Sequence, residues 1–154
     1  MPIHHSIWRV GQGPAPLPKK EIASEALLES MIVAERAILS PEWMIIGRQQ
    51  ETGHGGRIDL LALAPDGSAI LIELKKGRTP REVVAHAIDY AAWAEKLDAQ
   101  ALAQIYGRFK PGGNLATDFQ ARFGQPLDEE SLNQSHQIVI VAAELDASSK
   151  RIVG

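Results

Sequence analysis

The chain has 154 residues, about one domain's worth, and its 45% hydrophobic and 23% charged content is ordinary for a globular protein. The lack of cysteine excludes disulfide scaffolds and thiolate-ligated zinc or iron–sulfur centres, and a formal charge of -3 excludes a polycation that coats nucleic acid indiscriminately. No apolar run approaches the roughly 18 residues of a membrane span, and Met1 to Val10 carries no signal-peptide pattern, so a cytoplasmic protein without membrane contact is expected.

Residues 1–20 read as an N-terminal arm. A short apolar stretch, Ile7 to Val10, offers one edge strand, and the prolines and glycines of 11–18 suit neither a helix nor a sheet interior. From Ser24, a suitable N-cap, apolar residues at Leu27, Leu28, Met31, Ile32 and Ile38 follow helical spacing until Ser40-Pro41. Strands are expected at Trp43 to Ile46, Ile58 to Ala64 and Ala69 to Lys75, the last two joined by Pro65-Asp66-Gly67 as a type I turn with glycine in the left-handed position. Thr79-Pro80-Arg81-Glu82 combines a cap, a proline at the first helical position and a glutamate three after the cap, starting a helix that runs to about Leu97. Helices over Ala99 to Phe109 and Leu115 to Phe123 follow, the second closed by Gly124. A buried strand is expected at Gln137 to Ala143. The order predicts an α/β (α+β) domain over 21–154, a mixed β-sheet flanked by helices. Asp146 to Val153 reads as a helix cap with barely one turn after it, so a chain truncated at its C-terminus is expected.

The chemistry concentrates on one strand. In Ala69 to Lys75 the only charged residues are Glu73 and Lys75, two apart and so on one face. A charge on a central strand is costly unless it is paired or used. With a three-residue hairpin loop, Ala64 faces Ser68 and Asp59 lies directly opposite Glu73. A two-residue loop would put Leu74 there instead. Two carboxylates so placed repel unless a cation lies between them, and all-oxygen ligation suits Mg²⁺ or Mn²⁺. Lys75 would stand beside them as a point charge for an attacking water or a phosphate oxygen. The acid-any-Lys triplet alone is weak, since about one is expected by chance in this composition.

Its context is stronger. Leu28-Glu29, Ile46 to Gln49, Gly56 to Leu61, Ile72 to Lys75 and Arg81 to Tyr90 together resemble the PD-(D/E)XK nuclease superfamily, and more closely the catalytic domain of NucS-type and RecB-like endonucleases. The resemblance spans about Ser24 to Trp93. It implies a restriction-endonuclease-like core and an Mg²⁺- or Mn²⁺-dependent endonuclease, a hydrolase of DNA phosphodiester bonds. Asp59, Glu73 and the Leu74 carbonyl would be metal ligands, Lys75 would position or activate water, and Glu29 would complete the site from the first helix. Glu25, one turn earlier, is the rival for that role. His86 stands where the family commonly has glutamine, which marks it as a candidate catalytic hydrogen-bond donor.

Lys76, Arg78 and Arg81, beside Lys75 at the exit of this strand, are the candidate nucleic-acid contacts through backbone phosphate. DNA is the expected partner ahead of RNA, and a homodimer is one assembly the resemblance allows. The bland readings are a solvated sheet face for Asp59, Glu73 and Lys75, a solvated helix glutamate for Glu29, a packed helix histidine for His86 and a solvated turn for the cations. The alternative function is a non-catalytic nucleic-acid-binding or scaffold module retaining the nuclease fold.

Overall fold

The structure, a computed structural model, describes residues 8–9, 11, 13, 15–18, 21–53, 55–79, 81–142 and 144–145. Its elements are β1 (Trp8–Arg9), β2 (Ala15–Pro16), α1 (Glu25–Ala34), a 3₁₀ turn (Arg36–Ile38), β3 (Met44–Thr52), β4 (Gly56–Leu63), β5 (Ala69–Leu74), β6 (Arg78–Thr79), α2 (Arg81–Ala94), α3 (Ala99–Phe109), α4 (Leu115–Phe123), β7 (His136–Val141) and β8 (Glu144–Leu145). The central sheet has the order β3-β4-β5-β7, antiparallel at its first two junctions and parallel between β5 and β7. A parallel pair requires a crossover, and α2, α3 and α4 provide it.

The sheet is buried on both faces. Ile32 of α1 covers Leu60, Ala62, Ile70, Ile72 and Leu74, while Tyr90, Ala94, Leu102, Ile105 and Phe119 of the later helices cover Leu61, Leu63, Ala69 and Leu71. This is the expected mixed sheet flanked by helices. Each large apolar side chain buried there contributes roughly 1.5–3 kcal/mol before entropy is counted. Gly47 sets how close α3 can lie, because a Cβ at that position would meet Ile105 Cγ2 at 2.7 Å.

Local chemistry explains the starts and stops. Ser24 accepts the Leu27 N–H at 3.0 Å as the N-cap of α1, and Asn114 and Gly124 close the two ends of α4, the glycine at φ 70°. The hairpin loop has the expected turn: Ala64 N–H donates to Ser68 O at 2.9 Å, Gly67 N–H to Ala64 O at 3.0 Å, and Gly67 sits at φ 82°.

Four expectations need correction. α1 ends at Ala34 rather than Ile38, since the Glu35 carboxylate caps a separate 3₁₀ turn through Ala37 N–H at 3.1 Å. α2 ends at Ala94 rather than Leu97, and Asn133 donates to the Ala94 and Leu97 carbonyls at 2.6 and 3.0 Å, the first of which also accepts the Leu97 N–H. β3 reaches Thr52, well beyond Ile46: its polar second half has no apolar periodicity to betray it, yet pairs with β4 to Thr52↔Gly56. β7 is half-buried rather than buried, because it is the outermost strand of the sheet among the described residues. In the arm, Trp8–Arg9 pairs antiparallel with Ala15–Pro16 in a sheet of its own. The C-terminal stretch 146–153 lies outside the described residues, and among those described no helix is long and apolar enough to cross a membrane.

Candidate active site

The site begins where β4 and β5 part. Their ladder runs from Leu63↔Ala69 to Leu60↔Ile72, the register of a three-residue loop, and its continuation faces Asp59 with Glu73. Instead of continuing, β4 turns its side chain into the gap. Asp59 Oδ2 accepts the Leu74 N–H at 2.7 Å, a donor that an unbroken ladder would direct to the Ile58 carbonyl. Strict alternation of β4 also fails here, since Ile58 and Leu61 share one core cluster and Leu60 belongs to the other.

Opposite Asp59, on β3, Gln49 adopts φ 49°, the left-handed region that costs a non-glycine residue about 1 kcal/mol or more. The ladder is already shifted between Ile45 and Gly47 by a bulge. Together these re-aim the Gln49 amide, whose Nε2 donates to Asp59 Oδ1 at 3.1 Å and to Glu29 Oε2 at 2.5 Å. The other Glu29 oxygen accepts from Arg48 Nε, and Arg48 also donates to Ser30 Oγ at 3.1 Å. Glu29 is only 4% exposed. It therefore reaches Asp59 through Gln49 and not directly.

Glu25 takes the position nearer β5. Its carboxylate lies 3.9 Å from Lys75 Nζ and accepts the Lys76 N–H at 3.4 Å, while Lys75 Nζ lies 3.4 Å from Glu73 Oε1. Glu73 is 8% exposed, and its Oε2 is buried without a hydrogen-bond partner. Burial, and then the charge of Asp59, push the Glu73 carboxyl up to about 7, against the pull of Lys75. Asp59 is also raised above the usual carboxylate range, mainly by burial, with the Leu74 N–H, Gln49 and Lys75 opposing. From α2, Tyr90 donates to Arg57 O at 3.3 Å, and its hydroxyl pKa is raised by burial and then by the charges of Glu73 and Asp59. Gly56 makes room for it, since a Cβ there would meet Tyr90 Cε1 at 3.0 Å and Thr52 Oγ1 at 2.7 Å.

The structure thus brings together Asp59, Glu73, Lys75 and Glu25, with Glu29 linked through Gln49. Lys76 is exposed at the exit of β5, while the side chains of Arg78 and Arg81 lie outside the described set. His86 is exposed on α2 with its ring edge-on to Tyr90 at 6.4 Å, and no described hydrogen bond joins it to Asp59, Glu73 or Lys75. Gln49, Arg48 and Tyr90 had no assigned role in the sequence. The signals available were a polar run directly after the apolar start of β3 and their place in the segments Ile46 to Gln49 and Arg81 to Tyr90 that carry the family resemblance.

The donor set suits a hard divalent cation. Two carboxylates that repel, one with a buried orphan oxygen, are what such an ion relieves. Among the described residues no three His, Asp or Glu side chains converge on one ion position. A bound ion would thus draw on Asp59, Glu73, the Leu74 carbonyl and water, which is the sparse protein ligation magnesium accepts.

No protein-family model matches the sequence, and no curated protein does. Two solved structures share the fold. A repair endonuclease from Pyrococcus abyssi aligns over 88% of this chain and 45% of its own, at 16% identity and TM-score 0.53. The EndoMS–dsDNA2 complex aligns over 97% of this chain and 60% of its own, at 15% identity and TM-score 0.55. The chain spans about half the length of these neighbours. They bear out the endonuclease-like fold that the sequence resemblance implied.

Proposed function

We propose that this domain is an Mg²⁺- or Mn²⁺-dependent nuclease hydrolysing DNA phosphodiester bonds. The observation that carries the reading is the pairing of half-buried Asp59 with buried Glu73 at the parting of β4 and β5, with one Glu73 oxygen unpartnered and Lys75 alongside. Asp59, Glu73 and the Leu74 carbonyl would hold the ion, which when bound supplies Lewis-acid polarisation of the phosphate and a more acidic water. The protein's own groups do the rest. The Leu74 N–H and Gln49 fix the Asp59 carboxylate, so that a ligand is oriented before anything binds. Lys75 provides a fixed positive charge for a water or phosphate oxygen, while Glu25 and Glu73 hold its ammonium in place. Lys76, Arg78 and Arg81 would grip backbone phosphate at the exit.

The reading is supported by both structural neighbours, described as a repair endonuclease and as EndoMS bound to double-stranded DNA. Incubation with supercoiled plasmid, linear duplex and single strands, with Mg²⁺, Mn²⁺ or EDTA, tests it directly. Metal-dependent cleavage is expected, and its absence under all conditions would leave a non-catalytic DNA-binding module, the reading favoured by an exposed His86 where the family commonly has glutamine.

Two substitutions refine the assignment. Replacing Lys76, Arg78 and Arg81 together by alanine should weaken binding alike for every DNA sequence and flatten its salt dependence, read by fluorescence anisotropy. His86→Gln should keep or raise cleavage, and His86→Ala should lose part of the activity. Equal activity in wild type, His86→Gln and His86→Ala would leave the histidine as a packing partner of Tyr90.

A further inference from the structure

The outer flank of β3 carries two concavities end to end. One, of about 600 Å³, is lined by Arg48, Gln49, Gln50, Arg108 and Phe109. The next, of about 460 Å³, is lined by Arg36, Tyr106, Phe109, Lys110 and Arg122 beside Met44 and Ile45. Phe109 belongs to both. Five cations thus line one flank of a chain whose formal charge is -3. The acids among the lining are Glu51, whose carboxylate lies 3.7 Å from Arg57, and Asp118, which accepts from Lys110 at 2.9 Å and from Tyr106 at 2.6 Å.

The cations are not equally committed. Arg48 is engaged by Glu29, and Arg122 donates through Nη2 to Pro41 O while its Nε is buried without a partner. Arg36 and Arg108 are exposed, and Arg108 touches only the Gln50 amide oxygen, at 3.3 Å, among the described hydrogen bonds. The nine residues of β3 extend roughly 30 Å, enough for several phosphates of one strand, which advance about 3.4 Å each along a duplex axis. Among the residues lining this flank is Gln49, which holds Asp59.

We propose that the flank of β3 facing α3, from Arg36 and Arg122 through Arg108 to Gln49, is a track for the sugar–phosphate backbone of a DNA strand leading to Asp59 and Glu73. It draws on none of the residues of the Lys76-to-Arg81 exit. The polar amides of Gln49 and Gln50 and the ring of Phe109 complete a surface that grips backbone and tolerates any base. The direction of the track rests on the nuclease reading, whereas binding to it does not.

The test is therefore a binding measurement in EDTA, where no cleavage enters. Wild type and the double variant Arg36→Ala/Arg108→Ala are titrated with a fluorescein-labelled 20-nucleotide single strand and with its duplex over a range of salt. Two lost phosphate contacts should reduce the slope of log K against log salt by about 1.8 for duplex and about 1.4 for single strand. Both residues are exposed, so unchanged circular dichroism is expected alongside. An unaltered slope, or wild-type protein that does not bind either DNA, would overturn the track. A wild-type protein that binds with the predicted slope difference yet never cleaves would uphold the track and defeat the nuclease reading.

Discussion

Glu73→Gln is expected to reduce metal-dependent DNA cleavage by about a thousandfold or more. The substitution keeps the shape and removes the negative charge. If the ion's polarisation of phosphate and water lowers the barrier by roughly 4 kcal/mol, its loss corresponds to that factor. The fold should survive, because the carboxylate sits where β4 and β5 have already parted and its Oε2 has no partner to lose. Asp59→Asn should cost as much in activity. It also weakens the acceptor of the Leu74 N–H, so its thermal transition should fall slightly where that of Glu73→Gln does not. Cleavage by purified Glu73→Gln at the wild-type rate would remove the basis of the enzymatic assignment.

The second large effect is on stability, and it has the opposite sign. With a folded-state pKa of about 7 against an ordinary 4.5, Glu73 is more easily protonated in the fold than in the unfolded chain. The contribution of the protonated group is fully present below about pH 4.5. It is lost as pH rises to about 7, and above that the charge costs on the order of 1–2 kcal/mol once solvent screening is allowed for. Glutamine never ionises. Urea unfolding in EDTA should therefore show Glu73→Gln gaining on wild type between pH 4.5 and pH 8 by about that amount. Adding Mg²⁺ at pH 8 should restore much of the difference to the wild type alone, since an ion that binds only the folded state stabilises it by mass action. A stability difference that does not vary with pH would mean that Glu73 is solvated in the metal-free protein.

Much of this was legible in the sequence because it was written in local chemistry. Pro65-Asp66-Gly67 dictates a three-residue loop, and from that loop the opposition of Asp59 and Glu73 follows by counting. Ser24, Asn114 and Gly124 announce helix ends through groups that satisfy the backbone within three or four residues. What stayed hidden depends on partners far along the chain. The Gln49 amide meets Glu29 and Asp59 only because β3 is bulged and turns left-handed, and the left-handed turn at Gln49 has no glycine to signal it. The choice between Glu25 and Glu29, one helical turn apart, is made by Arg48 and Lys75 from two different strands. Asn133 holds the carbonyls at the end of α2 from a loop beyond α4.

The irregularities of β3 also bear on whether a second copy could add a strand to it. Among the described residues β3 is an outermost strand of its sheet, and such a strand is a template on which a second copy can add its own, the usual start of sheet-to-sheet aggregation. Here the bulge between Ile45 and Gly47, the left-handed backbone at Gln49 and the exposed charges of Arg48 and Glu51 interrupt the even row of amides that such an addition would need. The same distortions that aim Gln49 at Asp59 therefore spoil β3 as a partner for another β-strand, and leave its flank free for a polymer of a different backbone.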